Sequence, residues 1–446
     1  MITKNKLFQC TFTLLLCLLN FVSTSLAQPS TSLNVITTDL DNFWEAFDKI
    51  QTSEDVDQQA SYLETLFLDR ASPGLIAIRE ARNYRAAEYL AAIQQYPLFW
   101  KSIRANTLRA KNLSTDLEKS IEQLRQLYPA LRPAKIYFTI GVFRTGGTTM
   151  GDKVLIGCET SMCDQHTETS EFPAAMNYLK KHWATNPVDE ILHTNVHEYL
   201  HTQQVEALNA TLLGQCLREG IAEFVAALAM GTPSTENAIV AGRKQELKIK
   251  AAFEKQLFNT EYGFWLWSDR ANEFQTRDLG YFVGHAIAEK YYAAAKDKTA
   301  AIQTMIELDY NSLDALAKFV DPLQYFSQPI AKLKKAQEKV KSPSVINIAP
   351  FKNGATNVDP TLTEITVHFS AEMSPRFRGH DFGPLGAPNA LRIKDSHFGE
   401  DHKSITLIIS PLQPNQRYQL ILSSNYRNTH GIRIEPFLLD FTTGEN

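Results

Sequence analysis

The residue types that could do chemistry are concentrated in the segment His193–His201. In a helix, His197 and His201 are four positions apart and share one face, so both imidazoles can reach a single metal ion. Glu198 is offset from that face by one position and can reach a water on the metal. The pattern His-Glu-x-x-His therefore predicts a catalytic metal site with Glu198 as the general base.

A catalytic zinc needs a third protein ligand, and Glu219 is the candidate for it. A turn within 209–214 would return the chain as a second, antiparallel helix that carries Glu219 toward the histidines. Glu223 lies one turn further on and can accept a hydrogen bond from a liganding imidazole. His193 is about 6 Å away along the first helix, which makes it a neighbour rather than a ligand. We therefore expect one Zn²⁺ per chain, bound by His197, His201 and Glu219.

If a water on the metal attacks a carbonyl group, a donor must stabilise the resulting oxyanion, and Tyr281 is the candidate. Gly280 and Gly284 flank it and would allow a partner or a substrate to approach closely. His285, one helical turn away, is the alternative for the same role. The sequence does not decide between Tyr281 and His285.

Several kinds of element must position these residues. Apolar residues recur at helical spacing over 38–131 and 188–341, whereas 135–142 and 154–156 have the composition of β-strands. After residue 343, short alternating runs predict a β-sandwich. The expected fold class is α+β: a mainly helical domain over 28–342 with a small β-sheet, followed by a sandwich over 343–446.

Two features near these elements allow two interpretations each. The segment Thr145–Thr148 has two central glycines and is either a flexible hairpin turn or an exposed edge that offers backbone hydrogen bonds to an extended peptide. Trp265 and Trp267 are expected to pack in the core, and the alternative is that they line a cleft.

The composition is that of a globular chain with more than one domain. Of its 446 residues, 44% are hydrophobic and 21% are charged, with 45 Lys and Arg against 49 Asp and Glu. The absence of a basic excess argues against nucleic acid as a partner. Outside the leader, Cys158, Cys163 and Cys216 permit one disulfide and one free thiol, and the spacing does not identify the pair.

The first 27 residues resemble a secretory signal peptide. Lys4 and Lys6 precede an apolar run, and small residues at Ser25 and Ala27 predict cleavage before Gln28. Large apolar residues before Cys17 argue against a lipid anchor. We therefore expect a secreted or periplasmic protein without a stable membrane span after cleavage.

The metal motif followed by Glu219-Gly220-x-Ala222-Glu223-Phe224 resembles the gluzincin metallopeptidases, the class that contains thermolysin and aminopeptidase-N-like enzymes. The resemblance implies His197, His201 and Glu219 as zinc ligands and Glu198 as the general base. The spacing is one residue shorter than in aminopeptidase-N-like enzymes, and their Gly-x-Met-Glu-Asn motif is absent. These departures distinguish the chain from aminopeptidase-N-like enzymes, and the sequence does not decide between exo- and endopeptidase action.

Two further resemblances cover most of the chain. Asn42-Phe43-Trp44, Tyr137–Gly141 and Leu279–Gly284 are similar to a bacterial family of predicted Zn-dependent proteases of unknown function. Ile346–Pro350 and Ile365–Met373 resemble bacterial Ig-like modules of secreted and surface proteins. Such modules space or dock rather than catalyse.

The sequence thus predicts a secreted zinc metallopeptidase that acts on a peptide or protein. One alternative is a catalytically inactive, zinc-containing binding or adhesion protein whose Ig-like domain engages a surface partner. The other is a zinc hydrolase of non-peptide amides or esters.

Overall fold

The computed structural model describes residues 34–268, 272–338, 342–429 and 431–445. The predicted signal peptide, 1–27, lies outside the described residues. The fold class is α+β, as the sequence predicts, with helices in the first part of the chain and antiparallel strands after residue 343.

The first part of the chain is mainly helical. Its helices are α1 (Thr38–Gln51), α2 (Val56–Leu63), α3 (Pro73–Arg82), α4 (Ala86–Gln95), α5 (Pro97–Leu108), α6 (Ser114–Leu127), α7 (Cys158–Ser161), α8 (Asn177–Trp183), α9 (Ile191–His201), α10 (Leu212–Met230), α11 (Asn237–Glu254), α12 (Leu279–Ala294), α13 (Lys298–Ile306), α14 (Leu313–Val320) and α15 (Ile330–Gln337). Their apolar faces, together with strands of a small sheet, form one large hydrophobic cluster.

The small sheet lies beside the helices that carry the candidate site. It contains β1 (Asn34–Ile36), β2 (Lys135–Thr139), β3 (Gly147–Met150) and β4 (Lys153–Gly157) in the order β1-β2-β4-β3. The first two pairings are parallel, whereas β3 is antiparallel to β4 and forms one edge. Strand β1 was not expected, and the end of the Gly-rich segment is part of an edge strand rather than only a turn.

The C-terminal part is a two-sheet antiparallel sandwich with its own hydrophobic cluster. One sheet has the order β5-β6-β9-β8 and the other β11-β10-β7. The strands are β5 (Val345–Ala349), β6 (Glu364–Phe369), β7 (His380–Asp381), β8 (Ile393–Phe398), β9 (Ser404–Ile409), β10 (Arg417–Leu422) and β11 (Phe437–Thr442). The domain boundary expected at 342/343 falls between α15 and β5.

The sandwich contacts the helical part at the loop 259–261. Ser374 donates a hydrogen bond to Glu261 at 2.7 Å, and the Asn259 amide donates to the carbonyl of Thr429 at 3.2 Å. The carbonyl of Asn259 also accepts from the backbone N–H of Leu212 at 2.7 Å, at the start of α10. The loop therefore connects the sandwich to a helix of the candidate site.

Two expectations from the sequence concern a disulfide among the cysteines and membrane-spanning segments. Cys158, Cys163 and Cys216 are all buried and free, so the disulfide that the sequence permitted is not formed. No helix among the described residues is long and apolar enough to cross a membrane.

A buried carboxyl group organises the loop that leads into β3. Glu159 is fully buried and accepts hydrogen bonds from the backbone N–H groups of Gly141 at 2.8 Å and Phe143 at 3.1 Å. Burial raises the pKa of Glu159 to about 7, although the two backbone donors oppose that shift. No local sequence pattern marks Glu159, because its carboxyl group contacts a segment that precedes it in the chain.

The raised pKa of Glu159 predicts a pH dependence of stability. Because the unfolded state ionises near pH 4.5 and the folded state near 7, the folded state binds more protons between these values. The free energy of unfolding should therefore fall as pH rises from 4.5 to 7, by up to about 3 kcal/mol from this group. Urea unfolding followed by tryptophan fluorescence would measure it, since every tryptophan lies before residue 343. The matched Glu159→Gln variant should lose this component, and identical pH profiles for the two proteins would contradict the assignment.

Candidate metal centre

Two adjacent helices carry the predicted ligands. Helix α9 contains His197 and His201, and after a short loop α10 begins where the Thr211 side chain accepts a hydrogen bond from the N–H of Gly214. Helix α10 ends at Gly231, whose left-handed φ of 67° is accessible to glycine at little cost. Glu219 lies within α10 and faces α9, as the sequence predicts for a returning helix.

The three predicted ligands meet at one buried point. The Nε2 atoms of His197 and His201 are 3.1 Å apart, and one carboxylate oxygen of Glu219 is 3.2 Å from His201 Nε2 and 3.6 Å from His197 Nε2. All three residues are less than 9% exposed. This group could hold a metal ion.

The spacing of these atoms fits a tetrahedral ion. Bonds of about 2.0–2.2 Å to zinc at tetrahedral angles separate ligand atoms by about 3.3–3.6 Å, close to the observed distances. His197 Nδ1–H donates to Glu223 at 3.0 Å, and His201 Nδ1–H donates to the Gln204 side-chain oxygen at 2.7 Å. When both imidazoles are neutral, their Nε2 lone pairs therefore face the Glu219 carboxylate. A cation bound between the two nitrogens and the carboxylate oxygen would accept electron pairs from all three.

Glu223 holds the outer side of this group. One carboxylate oxygen of Glu223 accepts a hydrogen bond from His197 Nδ1–H, and the other accepts one from His193 Nε2–H, each at 3.0 Å. The hydroxyl of Ser234 donates to the same oxygen as His193. The hydrogen bond expected between Glu223 and a liganding imidazole is therefore present. His193 contacts Glu223 and is not in the group that could hold an ion, as predicted.

The carboxylates create a field that favours positive charge. Burial opposes the charged form of His197, but hydrogen bonds to Glu219 and Glu223 outweigh it and raise its pKa to about 10. Burial likewise opposes ionisation of Glu219, but the charge of His201, hydrogen bonds to both histidines and the Arg218 guanidinium hold its pKa well below the ordinary value. Glu219 is thus an anionic donor at neutral pH.

Glu198 lies between α9 and the edge strand β3. It is partly exposed, in contrast to the two histidines on the same helix. A Cβ placed on Gly147 would lie 2.7 Å from a Glu198 carboxylate oxygen, so only glycine fits at this position without moving the carboxylate. The Gly-rich segment therefore supplies both the edge strand and the space for Glu198.

Helix α12 brings Tyr281 to the site through a close crossing with α10. A Cβ on Gly220 would lie 2.1 Å from the backbone N of His285, and one on Gly284 would lie 1.8 Å from the carbonyl oxygen of Cys216. Gly284, three positions after Tyr281, thus admits a neighbouring helix rather than a substrate. The Tyr281 ring stacks on that of His197, with centroids 6.0 Å apart.

His285 has different surroundings. Its ring packs edge-on against Phe224 with centroids 5.3 Å apart, and it is 4% exposed. Burial lowers its pKa below the ordinary value. The stacking contact with a candidate ligand belongs to Tyr281, which distinguishes the two residues that the sequence left open.

Two further residues, Gln204 and Ser234, support the site and are not marked by the metal motif. Gln204 follows His201 by three positions, and that helical spacing could have identified it. It also donates to the Tyr310 hydroxyl at 2.9 Å and to the carbonyl of Arg218 at 3.0 Å. Ser234 lies beyond the end of α10, and no local pattern marks its contact with Glu223.

Comparisons with known proteins provide no assignment. No protein-family model matches the sequence, and no curated protein matches it either. Among solved structures, the chain is similar to the S-layer protein rSbsC(31-844) and to domains 1-6 of surface layer protein SbsC, at 13% and 12% identity with a TM-score of 0.18 for each. The N-terminal part of the bacterial S-layer protein SbsC matches at 13% identity with a TM-score of 0.19.

These matches span 91% of this chain, 45% of each of the first two structures and 77% of the third. The chain therefore covers less than half of the first two chains. Similarity at this level indicates neither a shared fold nor a shared activity.

The geometry predicts different effects for two histidines on α9. His201→Ala should weaken Zn²⁺ binding by more than about 100-fold, because it removes a donor of the group. His193→Ala should retain about one ion per chain, because Glu223 keeps its contacts with His197 and Ser234. Calorimetric titration of chelator-treated protein with Zn²⁺ would measure both. Loss of binding in His193→Ala with retention in His201→Ala would contradict the ligand assignment.

Proposed function

We propose that this protein is a zinc-dependent peptidase. The observation that carries the proposal is the convergence of His197, His201 and Glu219 at a buried point. The Glu198 carboxylate is close enough to His197 for its charge to help raise the pKa of that imidazole, and it lies against the strand edge at Gly147. The resemblance to gluzincins agrees with these roles.

The donor set supports zinc as the metal. Two imidazole nitrogens and one carboxylate oxygen form a common set of three protein ligands for catalytic zinc, which leaves a fourth position open to water or substrate. A bound Zn²⁺ supplies Lewis acidity, since it makes a coordinated water more acidic and polarises a carbonyl. His197, His201 and Glu219 would hold one such ion per chain.

Glu198 is the proton carrier in this proposal. The residue is partly exposed and its charge acts on His197, so in this proposal its carboxylate takes a proton from the attacking water. As the carbon–nitrogen bond breaks, the same carboxyl group gives that proton to the leaving amine. The hydroxyl of Tyr281, whose ring lies against His197, would donate a hydrogen bond to the developing oxyanion.

Strand β3 favours a peptide as the substrate. It pairs with β4 on one side, and among the described strands no other pairs with it. Its other side can add an extended peptide through backbone hydrogen bonds. Since Gly147 on this strand lies against Glu198, a peptide aligned on the edge would pass the proton carrier. The position of the strand edge next to Glu198 therefore favours peptides over small esters as substrates.

The site of action follows from the sequence of the first 27 residues. Two lysines, an apolar run and small residues before Gln28 are typical of secretory signal peptides. We therefore propose that the enzyme acts outside the cytoplasm, in the periplasm or the medium.

Replacement of the proton carrier tests the catalytic part of the proposal. Glu198→Gln should retain zinc and lower kcat by about 1000-fold on peptides, because the amide cannot accept the proton. Glu190→Gln, at an exposed position just before α9, is the matched control and should be active. Cleavage of a peptide library followed by mass spectrometry measures the activity.

The outcome distinguishes three classes of protein. Full activity of Glu198→Gln would exclude Glu198 as the base. A zinc-loaded wild type that cleaves esters and no peptides would replace the peptidase by an ester hydrolase. Failure to cleave either would indicate a binding protein.

The two glycines of the edge segment give a second test. Gly147→Ala should lower kcat at least about tenfold with zinc retained, because the new Cβ displaces the Glu198 carboxylate. Gly146→Ala is the control, since its Cβ would have its nearest neighbour at 3.5 Å, an ordinary contact. Equal kcat in the two variants would contradict the placement of Glu198.

A further inference from the structure

Trp267 is exposed beside the candidate metal centre. Its residue is 50% exposed, whereas Trp44, Trp100, Trp183 and Trp265 are at most 2% exposed. A large aromatic surface left in water costs hydrophobic free energy that burial would recover. This exposure leaves the indole face open to contact with a ligand bound at the site.

A hydrogen bond places the indole next to the site. Trp267 Nε1–H donates to the hydroxyl oxygen of Tyr281 at 3.2 Å, and the Tyr281 ring stacks on His197. An indole N–H is only a donor, so the Tyr281 oxygen is the acceptor and its own proton is left to donate elsewhere. The indole is thus one side chain away from a candidate metal ligand.

The backbone fixes the indole in this exposed position. Trp267 has a left-handed φ of 53°, which is unfavourable for a bulky residue, and its N–H donates to the carboxylate of Asp278. The backbone N–H of Gly280 donates to the carbonyl of Trp265 at 2.8 Å, which ties the loop to α12. The Tyr262 ring meets the indole edge-on at 5.7 Å. A conformation that is strained and held by several contacts is typical of a functional position.

We propose that Trp267 is a specificity-determining residue that binds an apolar side chain of the substrate next to the scissile bond, while its indole N–H positions the Tyr281 hydroxyl. The inference rests on the proposed peptidase function and adds the substrate class. The indole face supplies an apolar surface, and the nearby Asp278 carboxylate is already paired with Arg277 at 2.6 Å. An apolar side chain therefore fits this surface better than a charged one.

Fluorescence quenching tests the contact without catalysis. Because Trp267 is the exposed tryptophan, acrylamide should quench mainly its emission. Zinc-loaded Glu198→Gln protein mixed with a blocked peptide that contains Phe should lose at least half of this quenching, whereas a peptide with Asp or Lys in place of Phe should protect weakly. The double variant Glu198→Gln, Trp267→Phe is the control, and the peptide should not change its quenching.

Kinetics separate the two roles of the indole. On a peptide identified by library cleavage, with Phe, Leu, Ala, Asp or Lys placed on each side of the cleaved bond, Trp267→Ala should lower kcat/KM about tenfold or more for Phe and Leu and less than about threefold for Ala. Trp267→Phe retains an apolar ring and lacks the N–H, so it should preserve the preference and KM while kcat falls about tenfold. Zinc content of both variants serves as the folding control.

The results distinguish failure of this inference from failure of the proposed function. Two results would overturn the inference and leave the peptidase function intact. In the first, the protein cleaves peptides but no peptide protects Trp267 from acrylamide. In the second, the protein prefers Lys or Asp next to the cleaved bond, and Trp267→Ala removes that preference. Protection of Trp267 by the Phe peptide in a protein that cleaves nothing would support the binding surface and reject the peptidase. If Trp267→Ala lowered kcat/KM equally for all five peptides, Trp267 would have a structural role and would not determine specificity.

Discussion

Three electron-pair donors held within 3.6 Å of one another are the constraint on which this structure depends. His197, His201 and Glu219 are buried, and the Nε2 atoms of the two histidines face the same carboxylate oxygen. Such an arrangement is unfavourable without positive charge between the donors. His197 Nδ1–H is hydrogen-bonded to Glu223, and His201 Nδ1–H is hydrogen-bonded to Gln204. These bonds fix the orientation of the two rings, so the Nε2 atoms cannot turn away from each other.

Helix α10, which carries Glu219, is held at short range from α12 by glycine. At Gly220 and Gly284 the backbones of α10 and α12 approach so closely that a Cβ on either residue would overlap the opposite helix. This crossing places Tyr281 against His197 and, through the indole N–H, fixes Trp267 at the edge of the site. The small residue next to Glu219 is therefore required by helix packing.

The β-sandwich is connected to this arrangement through polar contacts. Ser374 and the Thr429 carbonyl bond to the loop 259–261, and that loop accepts a hydrogen bond from the first turn of α10. Tyr262, directly after the loop, contacts Trp267. The loop 259–261 and Tyr262 therefore contact both the helix of Glu219 and the exposed indole. Because the sandwich is hydrogen-bonded to this loop, it stabilises a segment next to the site.

The sequence alone determined the fold class and the residues able to hold a metal, because helical spacing, strand alternation and the i, i+4 relation of two histidines are local properties. The boundaries of β6 and β9 follow the alternating runs directly. Tertiary structure decided the features that depend on contacts distant in sequence. Packing buries Trp265 and exposes Trp267, two positions later, although their local patterns are alike. It also makes the end of the Gly-rich segment part of an edge strand, leaves the three cysteines free, and brings Glu159 to a loop that precedes it in the chain. Each of these outcomes depends on which surfaces meet when the helices pack on the sheet.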